Sequence, residues 1–121
     1  MRLCMGKEIK NYSELCRVCK SVGLWYVGSF MIEFINKKHL WENPETKHQF
    51  ITYMLGEYDF GNSLSSTRTR INGMIRIVES RMVEKALEMV INANKIKLGC
   101  EESRVNAEYC LELLDSGKLT Y

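Results

Sequence analysis

Cys16-Arg17-Val18-Cys19 places two thiols where one metal ion or a redox exchange could use both. A structural zinc needs two further ligands. The remaining candidates, Cys4, His39, His48, Cys100 and Cys110, are scattered along the chain rather than gathered into a second close pair. The same spacing puts Cys16 and Cys19 at i, i+3 on a helix, with Cys19 on its apolar face, and a free cysteine is a common small core residue. The expectation is five reduced thiols, no metal and no cofactor; an odd count without a dense framework suits a reducing compartment. His39 and His48 bracket the turn from Trp41 to Pro44, where imidazoles most often serve as partners of helix ends. No H-E-x-x-H, G-x-S-x-G, phosphate-loop or G-x-G-x-x-G motif occurs. The acids are spread over helix surfaces, as Glu84 and Glu88 beside Lys85, so no catalytic residue is expected.

The segment from Ser65 to Arg81 carries the strongest functional signal. Residues 61–81 hold four arginines, Arg68, Arg70, Arg76 and Arg81, against Glu79 alone, a local net of +3, while residues 82–121 net −2. Arg68, Asn72 and Arg76 are spaced i, i+4, i+8 and therefore line one flank of a helix. Arg68 and Arg70 are placed in its first turn, where a cation opposes the macrodipole and an anion, held also by the Ser66 and Thr67 hydroxyls, would relieve the conflict. The competing expectation is that these arginines pair with Glu79 and with the acidic C-terminal helices of the same chain. Ser63, Ser66, Arg70, Ile71, Asn72, Gly73 and Met74 give the segment a resemblance to the core-binding helical domain of tyrosine recombinases, with Ser66 where that pattern has threonine. The resemblance covers residues 63–74 without that family's catalytic domain, and what it implies is a nucleic-acid partner. Trp25 and Trp41, placed at or beyond helix ends, complete the expected partner surface.

The elements that position these residues read as helices. Leu15, Val18, Cys19 and Val22 repeat at i, i+3, i+4, i+7 between a Ser13 cap and a Gly23 stop. Val27, Phe30, Met31, Phe34 and Ile35 repeat the pattern. Asn43-Pro44-Glu45 then opens a helix bearing Phe50, Ile51, Met54, Leu55 and Tyr58. Ile71, Met74, Ile75 and Val78 form one stripe; Val83, Ala86, Leu87, Val90 and Ile91 form another more than a quarter turn away, which predicts a break near Ser80-Arg81. Ala107, Cys110, Leu111 and Leu114 mark a last helix, with Glu101 and Glu102 at its start and Gly117 at its end. The reading is an all-α bundle of five to six helices forming one domain over residues 1–121, with Leu55, Met74, Val78, Leu87, Val90 and Leu111 in its core.

Composition bounds the rest. The 121 residues are 45% apolar and 26% charged, with one proline and a net charge of +2. That describes a folded domain and excludes a histone-like polycation or a polyanionic mimic of nucleic acid. No stretch reaches the roughly eighteen uncharged apolar residues of a membrane span, the run from Leu24 to Phe34 being broken by Gly28, Ser29 and Glu33. Residues 1–8 lack the apolar core of a signal peptide, so a cytoplasmic protein is expected. The first expectation is a non-catalytic helical protein that docks on a protein or nucleoprotein partner through Arg68, Arg70, Asn72, Arg76, Arg81, Trp25 and Trp41. Small accessory proteins of phages and mobile elements, inhibitors of host defence complexes among them, have this size and this lack of motifs. The second is a dimeric nucleic-acid-binding regulator using the basic 65–81 segment; a homodimer is also open to a chain this rich in large apolar groups. The third is a small enzyme or zinc protein built on Cys16 and Cys19.

Overall fold

Asn11, rather than the expected Ser13, opens the first helix: its extended backbone lets its side-chain oxygen accept from the Glu14 amide at 2.9 Å. The computed structural model describes residues 8–57, 64–94 and 101–121. In it, α1 (Tyr12–Val22) stops at Gly23, whose φ of 101° is one that side-chain-bearing residues rarely adopt. Gly23 also opens α2 (Leu24–Asn36), and the two helices bend by 93° at this elbow. A single turn, α3 (Lys38–Trp41), follows. Asn43 then caps α4 (Pro44–Glu57) as expected, its Oδ1 accepting from the Glu45 amide at 2.9 Å with Pro44 in the first helical position.

The expected break at Ser80-Arg81 separates α5 (Leu64–Glu79) from α6 (Val83–Asn92). Arg81 takes a left-handed φ of 59°; its amide donates to the Val78 carbonyl and the Met82 amide to Ile77, each at 3.1 Å, which is a Schellman closure. The last helix, α7 (Glu102–Asp115), closes the same way at Gly117, where Lys118 N–H donates to the Leu113 carbonyl at 2.9 Å. Seven helices and no strand occupy the described residues, against the five to six expected. The addition is α3, too short to show apolar periodicity.

Helix α2 sits at the centre and buries eight side chains or glycines along its length. Among the described elements α7 packs on α2 and α6 alone. α1 and α5 pack on each other and reach α2 and α6 from elsewhere, without touching α7, while α4 bridges α3 and α5. The core is aromatic at its middle: Tyr26 meets Trp25, Phe30 and Phe34 edge-on, and Phe34 meets Phe50 at 5.2 Å between centroids. Met74, Val78, Leu87 and Val90 are buried as expected, and Ile77 joins them because α5 is covered on two sides. Leu55 and Leu111 are corrections, half-buried at the edge. With only two helices over it, α7 buries the narrow line Ser103, Ala107, Cys110, which leaves Leu111 at its margin. Tyr58 lies outside the described residues. Among the described helices none is long and apolar enough to cross a membrane; α1 and α2 reach that length only as a bent pair.

Candidate functional site

The contact that shapes the surface around the arginine flank is the crossing of α1 and α5. A Cβ on Gly73 would stand 2.2 Å from Val22 Cγ2, so only glycine permits this approach. Beside it runs a groove made of two contiguous depressions that share Val18, Ser21 and Arg76. One, of about 250 Å³, reaches Thr69, Asn72 and Gly73; the other, of about 300 Å³, reaches Glu14 and Arg17. Two members of the expected line, Asn72 and Arg76, therefore border a real concavity, and Arg68 stands one turn beyond its lining on the same face of α5. The opposite wall of the concavity is Arg17 and Ser21 of α1, which the line on α5 does not reveal. The signal for that wall was present in the sequence, as polar residues at i, i+4 either side of buried Val18.

Each member of the flank has a distinct environment. Arg76 is half-buried, with Nη2 3.8 Å from Glu14 Oε1 across the groove. Asn72 Oδ1 accepts from Lys47 Nζ of α4 at 3.1 Å. Burial lowers the Lys47 pKa below its ordinary 10.5; nearby Arg68 lowers it further, and Glu79 opposes both. Arg68 and Arg17 are exposed, and among the described residues neither has an ion-pair partner. The competing expectation joins these arginines to Glu79 and to the acidic C-terminal helices; among the described residues α7 has no contact with α5, and the ion pair of the flank runs from Arg76 to Glu14 of α1.

The placement at the helix start is also corrected. α5 is already under way at Leu64, so Arg68 and Arg70 stand beyond its first turn. Thr67 is buried, which removes its hydroxyl from the surface, and the Ser66 side chain and Ser63 lie outside what is described. Arg70 turns inward. Its guanidinium donates to the Val22 carbonyl at the end of α1 and lies 5.1 Å from the Trp25 ring and 5.8 Å from that of Tyr26. Arg81 lines a separate depression of about 280 Å³ with Lys38, Glu42 and Tyr121, donating to the Tyr121 carbonyl at 3.2 Å. Trp25 and Trp41 are buried and leave the partner surface; Trp41 Nε1 donates to the Phe34 carbonyl at 2.8 Å. A helix-end position says nothing about cover from a distant element; Arg70 supplies that cover for Trp25, and α2 and α4 supply it for Trp41.

Among the described residues no three His, Cys, Asp or Glu side chains converge on a metal position; Cys4 and Cys100 lie outside them. His39 and His48 are both exposed. Burial pushes the Cys19 thiol from 9.0 up to about 12, with Cys16 adding to the rise. Burial and then Glu84 push Cys110 to about 12 as well. A pH dependence of definite sign follows. Below pH 9 these thiols are protonated in both the folded and the unfolded chain; between 9 and about 12 only the unfolded chain ionises them, so stability falls as pH rises. Lys47, with its lowered pKa, acts in the opposite sense as pH approaches 10.5. Urea midpoints measured across this window should fall, and a Cys19→Ala/Cys110→Ala variant should show a shallower fall than the parent. Equal slopes would mean that the thiols are not buried.

The chain matches no protein family, no characterised protein and no solved structure in such comparisons.

Proposed function

We propose that this chain is a non-catalytic helical binding protein that docks on a protein or nucleoprotein partner through the α1–α5 groove. The observation that carries this reading is Arg17, exposed, without an ion-pair partner among the described residues, and lining a concavity with Arg76, while exposed Arg68 extends the same face of α5 one turn beyond Asn72. A guanidinium offers a planar fork that matches carboxylate and phosphate oxygens, and Ser21, Thr69 and Asn72 put further polar groups within the same groove. Val18 and Val22 give the floor an apolar component, so the partner surface that fits is acidic and amphipathic rather than uniformly charged. The biological role we assign is that of a small phage or mobile-element accessory protein such as an inhibitor of a host defence complex, a reading supported by the chain's size and its lack of catalytic motifs.

Arg17→Glu/Arg68→Glu is the variant to test. Neither residue forms an ion pair with the described fold, so the melting temperature should stay within a few degrees, exposed arginines contributing about 0–1 kcal/mol per pair. Partner captured from the native host, with nuclease present, should fall at least about tenfold. Undiminished capture with an intact fold would overturn the groove as the binding face. The nucleic-acid regulator reading is separated by salt: a phosphate ligand gives an affinity that drops steeply between low and physiological salt, in proportion to the phosphates contacted.

A further inference from the structure

The outer side of α7 is the chemical counterpart of the α1–α5 groove. Val105 and Tyr109, at i, i+4, are 64% and 54% exposed, the two largest apolar exposures on that helix. Glu102, Glu108 and Glu112 are exposed around them, and the one cation of α7, Arg104, is turned to the Ala93 carbonyl. The groove offers the complement: the edge of Val18 at its floor, Arg17 and the Glu14-paired Arg76 in its walls, and exposed Arg68 one turn beyond the lining residue Asn72. The two surfaces cannot meet within one molecule. Among the described elements α7 contacts α2 and α6, and neither α1 nor α5 touches it. Their lengths also agree, since 14 residues of α7 span about 21 Å and 16 residues of α5 about 24 Å.

We propose that the occupant of the groove, in the absence of a foreign partner, is α7 of a second copy of this chain. Val105 and Tyr109 face the apolar floor and the flanking glutamates face Arg17, Arg68 and Arg76, a helix-in-groove contact. The proposal rests on the groove being an acceptor for acidic amphipathic surfaces. Because donor and acceptor are different surfaces, the contact is heterologous. Each added copy leaves one free α7 and one free groove, so growth proceeds head to tail beyond a dimer. One exposed helix face against one groove is a small interface with a polar rim, which makes the association weak and salt-sensitive.

Sedimentation equilibrium of the full chain tests it. At low salt the weight-average mass should rise with concentration from the 14.1 kDa monomer past the dimer, and fall back when about 0.5 M salt is added. Tyr109→Lys, which spoils the donor, and Arg17→Glu/Arg68→Glu, which spoils the acceptor, should each stay monomeric with unchanged helical circular dichroism. Mixed together they should form a one-to-one dimer and nothing larger, since the mixture holds one working donor and one working acceptor. A wild type that stays monomeric throughout, a mixture of folded variants that stays monomeric, or a dimer indifferent to Tyr109→Lys would each overturn the proposal. The first of these, found together with loss of host partner by the groove variant, overturns self-docking alone and leaves the groove reading standing.

Discussion

Trp41→Ala should destabilise the fold by about 3–5 kcal/mol, the range for truncating a buried aromatic side chain to alanine. Trp41 has no solvent exposure, and its indole N–H donates to the Phe34 carbonyl at 2.8 Å. It ends α3, a single turn that has no independent stability and holds its shape only by packing on α2 and α4. Alanine therefore leaves a void between those helices and removes the partner of a buried carbonyl. Against a total stability of typically about 5–15 kcal/mol, such a loss is plain in a urea titration as a lower midpoint at similar slope. Trp41→Phe separates the two contributions, keeping most of the apolar volume and losing the hydrogen bond, with an expected cost of about 1–2 kcal/mol. If Trp41→Ala instead left stability intact and weakened partner binding, the indole would belong to the interface after all.

Arg70→Met should cost about 2–5 kcal/mol, made up of a charge-assisted hydrogen bond worth about 1.5–3 and a cation–π contribution of about 0.5–2. The residue holds the elbow between α1 and α2 from the side: the guanidinium takes the Val22 carbonyl just ahead of Gly23 and covers the rings of Trp25 and Tyr26. Methionine keeps the apolar length and removes both interactions. Arg70→Lys should recover only part of the loss, because an ammonium is a point charge without the planar fork that spans a carbonyl and two rings. Near-ultraviolet circular dichroism of the Trp25 environment gives a second readout. A change confined to binding, with stability untouched, would return Arg70 to the surface. Arg70→Glu is accordingly no neutral control for Arg68→Glu, although the two residues leave α5 in different directions.

The helices were legible because their apolar residues repeat at helical spacing over several turns, and the α5–α6 break because two stripes on one continuous segment point in different directions. The cap at Asn43-Pro44 was legible because its chemistry is local. What failed was information that lives between elements. Nothing in the neighbourhood of Trp41 reveals that α2 and α4 close over it, and nothing near Arg70 reveals that the end of α1 needs a donor. The groove was half legible: the i, i+4, i+8 line on α5 is a property of one helix, whereas Arg17 joins it only because Gly73 lets α1 approach. The Arg76–Glu14 contact was missed for the same reason, since it crosses 62 residues of sequence to close a few ångströms of space.

Arg17, Lys20, Arg68 and Arg76 lie on α1 and α5 and Glu102, Glu108, Glu112 and Asp115 on α7, with α2 and α6 packed against both groups, so these exposed and half-buried charges are sorted by sign between two faces of the described fold. Net charge is then a poor guide to how it behaves at a charged boundary. A cation-exchange matrix holds it by α1 and α5, an anion-exchange matrix by α7, and each orientation hides one face and displays the other. Both attachments weaken as the screening length contracts to about 8 Å at physiological ionic strength. On a carboxylated sensor the protein therefore lies with its groove against the support, so an immobilised sample presents α7 to whatever flows past, whereas tethering on a quaternary-ammonium surface leaves the groove open to solution.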